Sequence, residues 1–464
     1  MPEPWANYGI DLHLDLAGSR VRATLERALR DAVRTGRLAP GIRLPSSRDL
    51  AADLGIARNT VADAYGQLVA EGWFSAKTGS GTWVAERPVA AATSPAAPAA
   101  QRPADPRYDL RAGIPAVSAF PRRAWLAAGR AAFTAAGDNV LGYPDPRGLP
   151  ELREALAGYL GRARGVHARP ETIIVCSGYV HGLALICRML SDRVRSPVLA
   201  IEAYGHMLHR RIAAANGMRL AALPVDAAGA VADAAKASAA VLTPAHQYPL
   251  GVTLAPARRT AFVRWAARTG GVIIEDDYDG EFRFDRQPVG AMQALAPEHV
   301  IYAGTASKSL APGLRLGWLV VPDAMIDEVI AAKELSGGAN GTLEQLALAT
   351  FIESGGYDRQ IRQARLAYRR RRDRLIAALR RSAPAVRLTG IAAGLHALAE
   401  LPGHQNEADV TDRAARHGVA VDGLRLYTAP GHERGPALVI GYGRPAEHAF
   451  TTAVGRLCAA LAET

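Results

Sequence analysis

The chain has 464 residues, which at about 150 residues per domain points to more than one domain. Its composition, 49% hydrophobic and 21% charged with a mean hydropathy of −0.01, excludes disorder over most of the length. The first twenty residues carry Glu3, Asp11 and Asp15 with no basic leader region, and no apolar run approaches membrane-spanning length, so neither secretion nor membrane insertion is expected. Cys176, Cys187 and Cys458 are too few and too scattered for a disulfide framework or a zinc cluster. A cytoplasmic protein without a metal site is the expectation. The net charge is +11, yet Met1 to Glu86 holds ten basic and ten acidic residues. Any DNA-binding role of the amino-terminal part must therefore rest on pattern and not on bulk charge.

Val21, Leu25, Leu29 and Val33 recur every four residues and predict a first helix ending near Gly36. A second is predicted in PSSRDLAADLG, where Ser46 and Asp49 have capping-box spacing and Gly55 can stop the helix. A third follows in ARNTVADAYGQLVAEG, with Asn59 as a candidate cap and Val61, Ala64, Tyr65 and Leu68 on one face. WFSAKTGSGTWVA then reads as two short strands around Gly79-Ser80-Gly81. Helix, helix, turn, helix and hairpin make a winged helix-turn-helix, an α+β domain assigned to residues 10–86. In such a domain Arg58, Asn59 and Thr60 begin the helix that enters the major groove. Arg48 is placed for phosphate or a base, and the wing backbone at Gly79 for the minor groove. A helical protein-protein module is the alternative on spacing alone.

The run ERPVAAATSPAAPAAQRPADP, rich in alanine and proline, reads as an extended linker, residues 87–107. Beyond it, residues 108–464 alternate apolar strands with helices, the pattern of an α/β fold with a mainly parallel sheet. Candidate strands are TIIVC (172–176), PVLAI (197–201), AVLT (240–243), GVIIE (271–275), VIYAG (300–304) and LRLGWLVV (314–321). Ligands of such sheets bind beyond the carboxyl ends of the strands. Lys308 lies there in GTASKSLAPGLRLG, with Thr305, Ser307 and Arg315 close in sequence: an amine, hydroxyls and an arginine fork suited to a phosphorylated carbonyl cofactor. A surface lysine is the alternative. In IEDDYDGEF, Asp276 suits a protonated pyridine nitrogen and Tyr278 a ring hydroxyl, with an acidic turn or a cation site as alternatives. Ser177-Gly178-Tyr179 opens a helix whose first N–H groups suit an anion, although such a pair is more often only a turn.

The run GRLAPGIRLPSSRDLAADLGIARNTVADAYGQLVAEGWFSAKTGSGTWVA resembles the winged helix of the GntR family. LGYPDPRGLPELREAL, TPAHQYPLGVTL, EDDYDGEFRF and GTASKSLAPGLRLGWLV resemble fold-type I aminotransferases. Together they resemble the MocR/GabR family of transcriptional regulators over nearly the whole chain. The resemblance implies DNA contacts by Arg48, Arg58, Asn59, Thr60 and Gly79. It implies pyridoxal 5′-phosphate as the cofactor, held as an internal aldimine by Lys308. Asp276 would then face the pyridine nitrogen, Tyr278 the ring hydroxyl and Tyr204 the ring face. Ser177, Gly178, Tyr179, Thr305, Ser307 and Arg315 would hold the phosphate, joined by Tyr143 from the other subunit of a head-to-tail homodimer. The implied partners are a double-stranded DNA operator and an amine or amino-acid effector that exchanges with Lys308. A working aminotransferase with a DNA-binding appendage is the competing reading.

Departures from the pattern fall at telling places. Ala57 stands where the family often has a capping serine, Tyr248 where aminotransferases usually have asparagine, and Val180-His181-Gly182 where a glutamine-rich helix start is usual. Val439 occupies the position of the arginine that usually grips a substrate carboxylate, with Arg425 or Arg444 as candidate substitutes. Finally, residues 357–381 hold ten arginines against two aspartates. That run reads either as a solvated helix face or as a second surface for bent DNA.

Overall fold

Apolar residues three and four apart build the amino-terminal unit around one small core. The computed structural model describes residues 21–77, 80–86, 106–234, 236–284 and 289–463. The chain divides into Met1–Pro103 and Ala104–Thr464, a division that falls within the expected linker. In the first unit, α1 (Val21–Arg34) contributes Leu25, Leu29 and Ala32 to the core. Leu50 and Ala51 come from α2 (Ser47–Leu54), and Val61, Ala64, Tyr65 and Leu68 from α3 (Arg58–Ala70). The antiparallel hairpin of β1 (Phe74–Lys77) and β2 (Gly81–Val84) closes the core with Phe74 and Val84, which face each other in register.

The cap of α2 forms as its spacing predicts: Ser46 Oγ accepts from the Asp49 amide at 3.2 Å, and Gly55 ends the helix at φ 65°. The start of α3 differs from expectation. Its N-cap is Ala57, with no side-chain cap, so Asn59 lies inside the first turn and does not cap it. The local φ and ψ of Ala57, −65° and 135°, are already those of a capping residue, so the helix starts there without help.

The second unit runs β3 (Tyr108–Asp109), α4 (Arg122–Ala135), α5 (Pro150–Arg164), β4 (Ile173–Cys176), α6 (Tyr179–Arg193), β5 (Val198–Glu202), α7 (Met207–Ala215), β6 (Arg219–Leu223), β7 (Val225–Asp226), β8 (Gly229–Ala230) and β9 (Ala239–Leu242). It continues through α8 (Pro256–Thr269), β10 (Val272–Asp276), β11 (Val300–Thr305), β12 (Gly317–Val320), α9 (Ile326–Leu335), α10 (Thr342–Glu353) and α11 (Gly356–Ser382). It ends with β13 (Arg387–Thr389), β14 (His396–Glu400), α12 (Glu407–Arg416), β15 (Val419–Ala420), β16 (Asp422–Gly423), β17 (Ala437–Gly441) and α13 (Glu447–Ala462).

A seven-stranded sheet of order β4-β12-β11-β10-β9-β5-β6 is its centre. All its pairings are parallel except those of β12, which runs antiparallel to β4 and β11. Both faces are covered, which is why the strands read as unbroken apolar runs. Ile174, Val241, Ile274 and Ile301 pack with Leu183 and Ile186 of α6, while the alternate residues Ala240, Ile273 and Val300 pack with Phe262 and Trp265 of α8. A second sheet, β13-β14-β17-β16, carries the carboxy-terminal part. Among the described residues no helix is long and apolar enough to cross a membrane.

An uncapped helix start can be improved without touching the core. Ala57→Ser is expected to stabilise α3 by about 1 kcal/mol, visible in calorimetry of the full chain as a higher midpoint for the amino-terminal transition. An unchanged midpoint would show that the Ala57 backbone cannot present a cap.

Candidate functional site

In the amino-terminal unit, α3 begins with Arg58 and Asn59 exposed and Thr60 half-buried, while Arg48 is exposed in the first turn of α2. The buried face of α3 fixes its rotation, so these residues lie on its outer surface by default. Gly79 lies outside the described residues; the flanking wing pair Lys77 and Gly81 is in register. The charge run of 357–381 is one face of α11. Tyr357, Ile361, Tyr368, Leu375 and Leu379 point inward, and Arg362, Arg365, Arg369 and Arg370 are exposed.

The second unit holds a cavity of about 330 Å³ beyond the strand ends, and it brings most of the expected cofactor residues together. Lys308, Asp276, Tyr278, Tyr204, Gly178, Tyr179, Thr305, Ser307 and Arg315 all line it. Lys308 Nζ donates to the Gly113 carbonyl. Burial pushes the Lys308 amine below its ordinary range, opposed by the Asp276 and Asp279 carboxylates. Asp276, at the end of β10, is 6% exposed and its Oδ1 has no hydrogen-bond partner. Burial pushes its carboxyl well above the usual range, with the Lys308 charge opposing. A buried acceptor without a donor is costly, and a pyridinium N–H is the kind of group that would satisfy it.

At the other end, Gly178 stands at φ 89° before α6, and Thr305 Oγ1 and Ser307 Oγ lie 2.9 Å apart. A side chain built on Gly178 would meet Arg315 and Ser307, and one on Gly317 would come within 2.7 Å of Gly178 Cα. Helix amides, two hydroxyls and a guanidinium thus surround one small space, the donor set that a phosphate dianion needs. Ser177, also expected at the phosphate, is not among the residues lining the cavity: its N–H donates to His181 Nδ1 at 3.1 Å and its Oγ lies 2.9 Å from the Asn340 amide. The residues therefore fit pyridoxal phosphate. Tyr143 is fully exposed and does not line this chain's cavity. The segment behind it is tied down by Lys333, a buried amine that donates to the carbonyls of Pro146 and Val175.

Several residues around the cavity escape the sequence reading. Tyr204, read as a ring-stacking residue, donates its hydroxyl to the His432 carbonyl at 2.6 Å. The His206 ring lies parallel to Tyr248, 4.9 Å between centroids and 7° between planes. His246 Nδ1 lies 2.8 Å from Asp279 Oδ2 and 3.1 Å from the Tyr278 hydroxyl. Burial, with the Lys308 charge, lowers His206 to about 4 and His209 to about 3, so both are neutral at pH 7. Their sequence signal is faint: His206 caps and His209 lies in the first turn of a short helix, and His246 follows a strand with no other histidine near it in sequence. The replacements suggested for the missing carboxylate-binding arginine are not here. Arg444 pairs with Asp109 at 2.7 Å, Arg425 is exposed, and neither lines the cavity.

Residues 22–84 match the bacterial regulatory proteins of the gntR family, and residues 109–434 match aminotransferase class I and II. The pyridoxine biosynthesis transcriptional regulator PdxR of Corynebacterium glutamicum is 34% identical over 90% of this chain and 91% of its own. The probable rhizopine catabolism regulatory protein MocR of Rhizobium meliloti is 34% identical over 77% of this chain and 76% of its own. Among solved structures, the α-aminoadipate aminotransferase LysN of Thermus thermophilus, complexed with N-(5′-phosphopyridoxyl)-L-leucine, superposes with a TM-score of 0.68 at 24% identity. It covers 76% of this chain and 91% of that one. The chain is a winged-helix reader joined to a fold-type I aminotransferase-like domain. It belongs to the GntR-type regulators of this fused architecture, the family of MocR and PdxR.

The closeness of Gly317 to Gly178 makes a sharp test of the phosphate cradle. Gly317→Ala must move backbone, not a flexible side chain, and is expected to weaken pyridoxal phosphate binding at least tenfold in an absorbance titration while circular dichroism is unchanged. Undiminished affinity would remove this segment from the cradle.

Proposed function

We propose that the protein is a pyridoxal-phosphate-dependent transcriptional regulator that senses an amine or amino acid at Lys308 and binds operator DNA through its winged helix. One observation carries the reading: a half-buried lysine and a buried aspartate with one unpartnered oxygen share a cavity with a phosphate-type donor set, on a chain whose other unit is a DNA reader. When bound, pyridoxal phosphate supplies a carbonyl carbon reactive toward primary amines and a ring able to draw electrons from it. Lys308 is the amine that would hold the cofactor's carbonyl carbon, and its lowered proton affinity favours the neutral form that such a role needs. Asp276 would face the ring nitrogen, and Tyr278, beside His246, would face the ring hydroxyl. Thr305, Ser307, Arg315 and the amides after Ser177 would hold the phosphate.

Regulation requires that the effector favour one arrangement of the molecule over another. A head-to-tail homodimer in the cytoplasm, with Tyr143 reaching the phosphate site of the other subunit, is part of the proposal. Exposed apolar side chains at Leu126, Phe133, Leu141, Leu335 and Leu343 support a covered face on this unit. The exposed arginines of α11 support a second DNA contact.

A second reading, in which the cofactor is itself the signal, is favoured by Val439, which leaves the usual carboxylate position fully apolar. Pyridoxal phosphate alone would then change operator affinity with no amine present.

The wild type is expected to show a visible absorption band that Lys308→Ala alters and that one compound of an amine and amino-acid panel shifts. Absence of any band after adding pyridoxal phosphate would reject the cofactor. Steady keto-acid formation with a second keto acid as acceptor would instead make the protein an aminotransferase. Replacing Arg362, Arg365, Arg369 and Arg370 by glutamine is expected to flatten the salt dependence of operator binding by about 0.9 log units per decade of salt for each phosphate no longer neutralised. An unchanged slope would confine DNA contact to the amino-terminal unit.

A further inference from the structure

Behind Tyr278 lies a buried pair of side chains that the cofactor contacts leave without a task. His246 Nδ1 is 2.8 Å from Asp279 Oδ2 and 3.1 Å from the Tyr278 hydroxyl, and the His246 and Asp279 side chains are 2% and 1% exposed. Neither of the two lines the cavity, whereas Tyr278 does. The space around them is closed. A side chain built on Gly394, at φ 71°, would come within 2.4 Å of Asp279 Oδ2 and of the His246 ring. The Tyr442 hydroxyl, 2.9 and 2.8 Å from the carbonyls of Ala393 and Gly394, holds that backbone against the pair.

Two partners thus meet one nitrogen. An imidazole nitrogen has a single in-plane position, filled either by a proton that it donates or by a lone pair that accepts. Asp279, the shorter contact, takes that position at Nδ1 in either case: as a carboxylate it accepts the ring proton, and as an acid it gives its own proton to the lone pair. No acceptor is left at Nδ1 for Tyr278, so the phenol lies against the nitrogen without giving up its proton. Burial, with the Asp279 charge next, also holds the Tyr278 phenol well above its ordinary proton affinity. The neighbouring phenol of the cavity, Tyr248, stands perpendicular to Tyr278 at 5.8 Å, and its hydroxyl has no partner to direct it.

We propose that His246 and Asp279 are positioning residues for Tyr278: by filling Nδ1, Asp279 leaves the Tyr278 proton to the cavity, for the ring hydroxyl of the cofactor. This rests on the pyridoxal-phosphate reading above and adds to it two residues outside the cavity. A donor at that oxygen favours its ionised form, so the pair sets the pH at which the visible band of the loaded chain changes.

The test is a pH titration of that band in the cofactor-loaded full chain. Asp279→Asn and Asp279→Leu both remove a charge felt by Asp276, Glu281, Lys308, Tyr248 and Tyr442, and both leave His396 at 5.0 Å from the His246 ring. Asparagine, with an oxygen and an NH₂ at that place, still fills Nδ1. Leucine leaves Nδ1 free to take the Tyr278 proton. The midpoint of the leucine variant is therefore expected about one pH unit above that of the asparagine variant, a tenfold change in proton affinity. The gap should vanish when Tyr278→Phe or His246→Leu is added to both variants, and persist when Tyr248→Phe is added. Equal midpoints overturn the proposal, and so does the reverse order, which would mean that Tyr278 gives its proton to Asp279 itself. A gap that survives Tyr278→Phe or His246→Leu, or that Tyr248→Phe removes, overturns it as well. If the leucine variant does not fold, Asp279→Val supplies the same comparison. A chain that shows no band with pyridoxal phosphate defeats the cofactor reading itself, and the proposal with it.

Discussion

The buried ion pair of Arg164 and Asp277 is the constraint on which the site depends. Arg164 Nε meets Asp277 Oδ2 at 2.6 Å and Nη2 meets Oδ1 at 3.0 Å, with side chains 5% and 1% exposed. Tyr302 adds a third donor to the same carboxylate at 2.7 Å. Removing one partner of such a pair strands a charge and costs about 3–5 kcal/mol, so the position of Asp277 is strongly determined. Successive residues of an extended chain point to opposite sides. With Asp277 fixed on one side, Asp276 is committed to the cavity. Burial, with the adjacent Asp277 charge among the further causes, raises the proton affinity of the Asp276 carboxyl, a cost that a cationic ring nitrogen beside it would offset.

Much of the fold is legible in the sequence because both faces of the central sheet are buried. TIIVC, GVIIE and VIYAG cannot be solvent-facing, and each lies within a residue of its strand. LRLGWLVV begins too early because Arg315 adopts φ 53° at the end of a short 3-10 turn, so β12 starts only at Gly317. The same left-handed turn, rare for a residue other than glycine, swings Arg315 toward the phosphate end. The uncapped start of α3 and the edge strand β6, whose residues are largely exposed, gave little apolar signal to read.

The site is legible where chemistry depends on sequence neighbours and obscure where it depends on distant ones. Lys308, Thr305, Ser307 and Arg315 share one strand-to-strand connection, and Asp276 and Tyr278 share another. His206, His246 and His396 come from three separate elements and meet only in the folded unit. No spacing rule reaches them. The position of the missing arginine is likewise set by distant residues: Val439 faces Leu398 across β14 and packs with Leu424 and Tyr427 in one apolar cluster.

The distance along the chain between groups that meet in the cavity has a consequence for synthesis. Lys308 and its Gly113 partner are 195 residues apart, and Tyr368 reaches back 252 residues to the Ala116 amide. The reader's core, in contrast, is complete within residues 21–86. At about 5–20 residues per second, β17 leaves the ribosome roughly 20–70 s after the winged helix. During that interval the chain carries a finished winged helix and no aminotransferase-like unit. A chain broken off after the linker would keep that state permanently, as a DNA-binding fragment without its second unit.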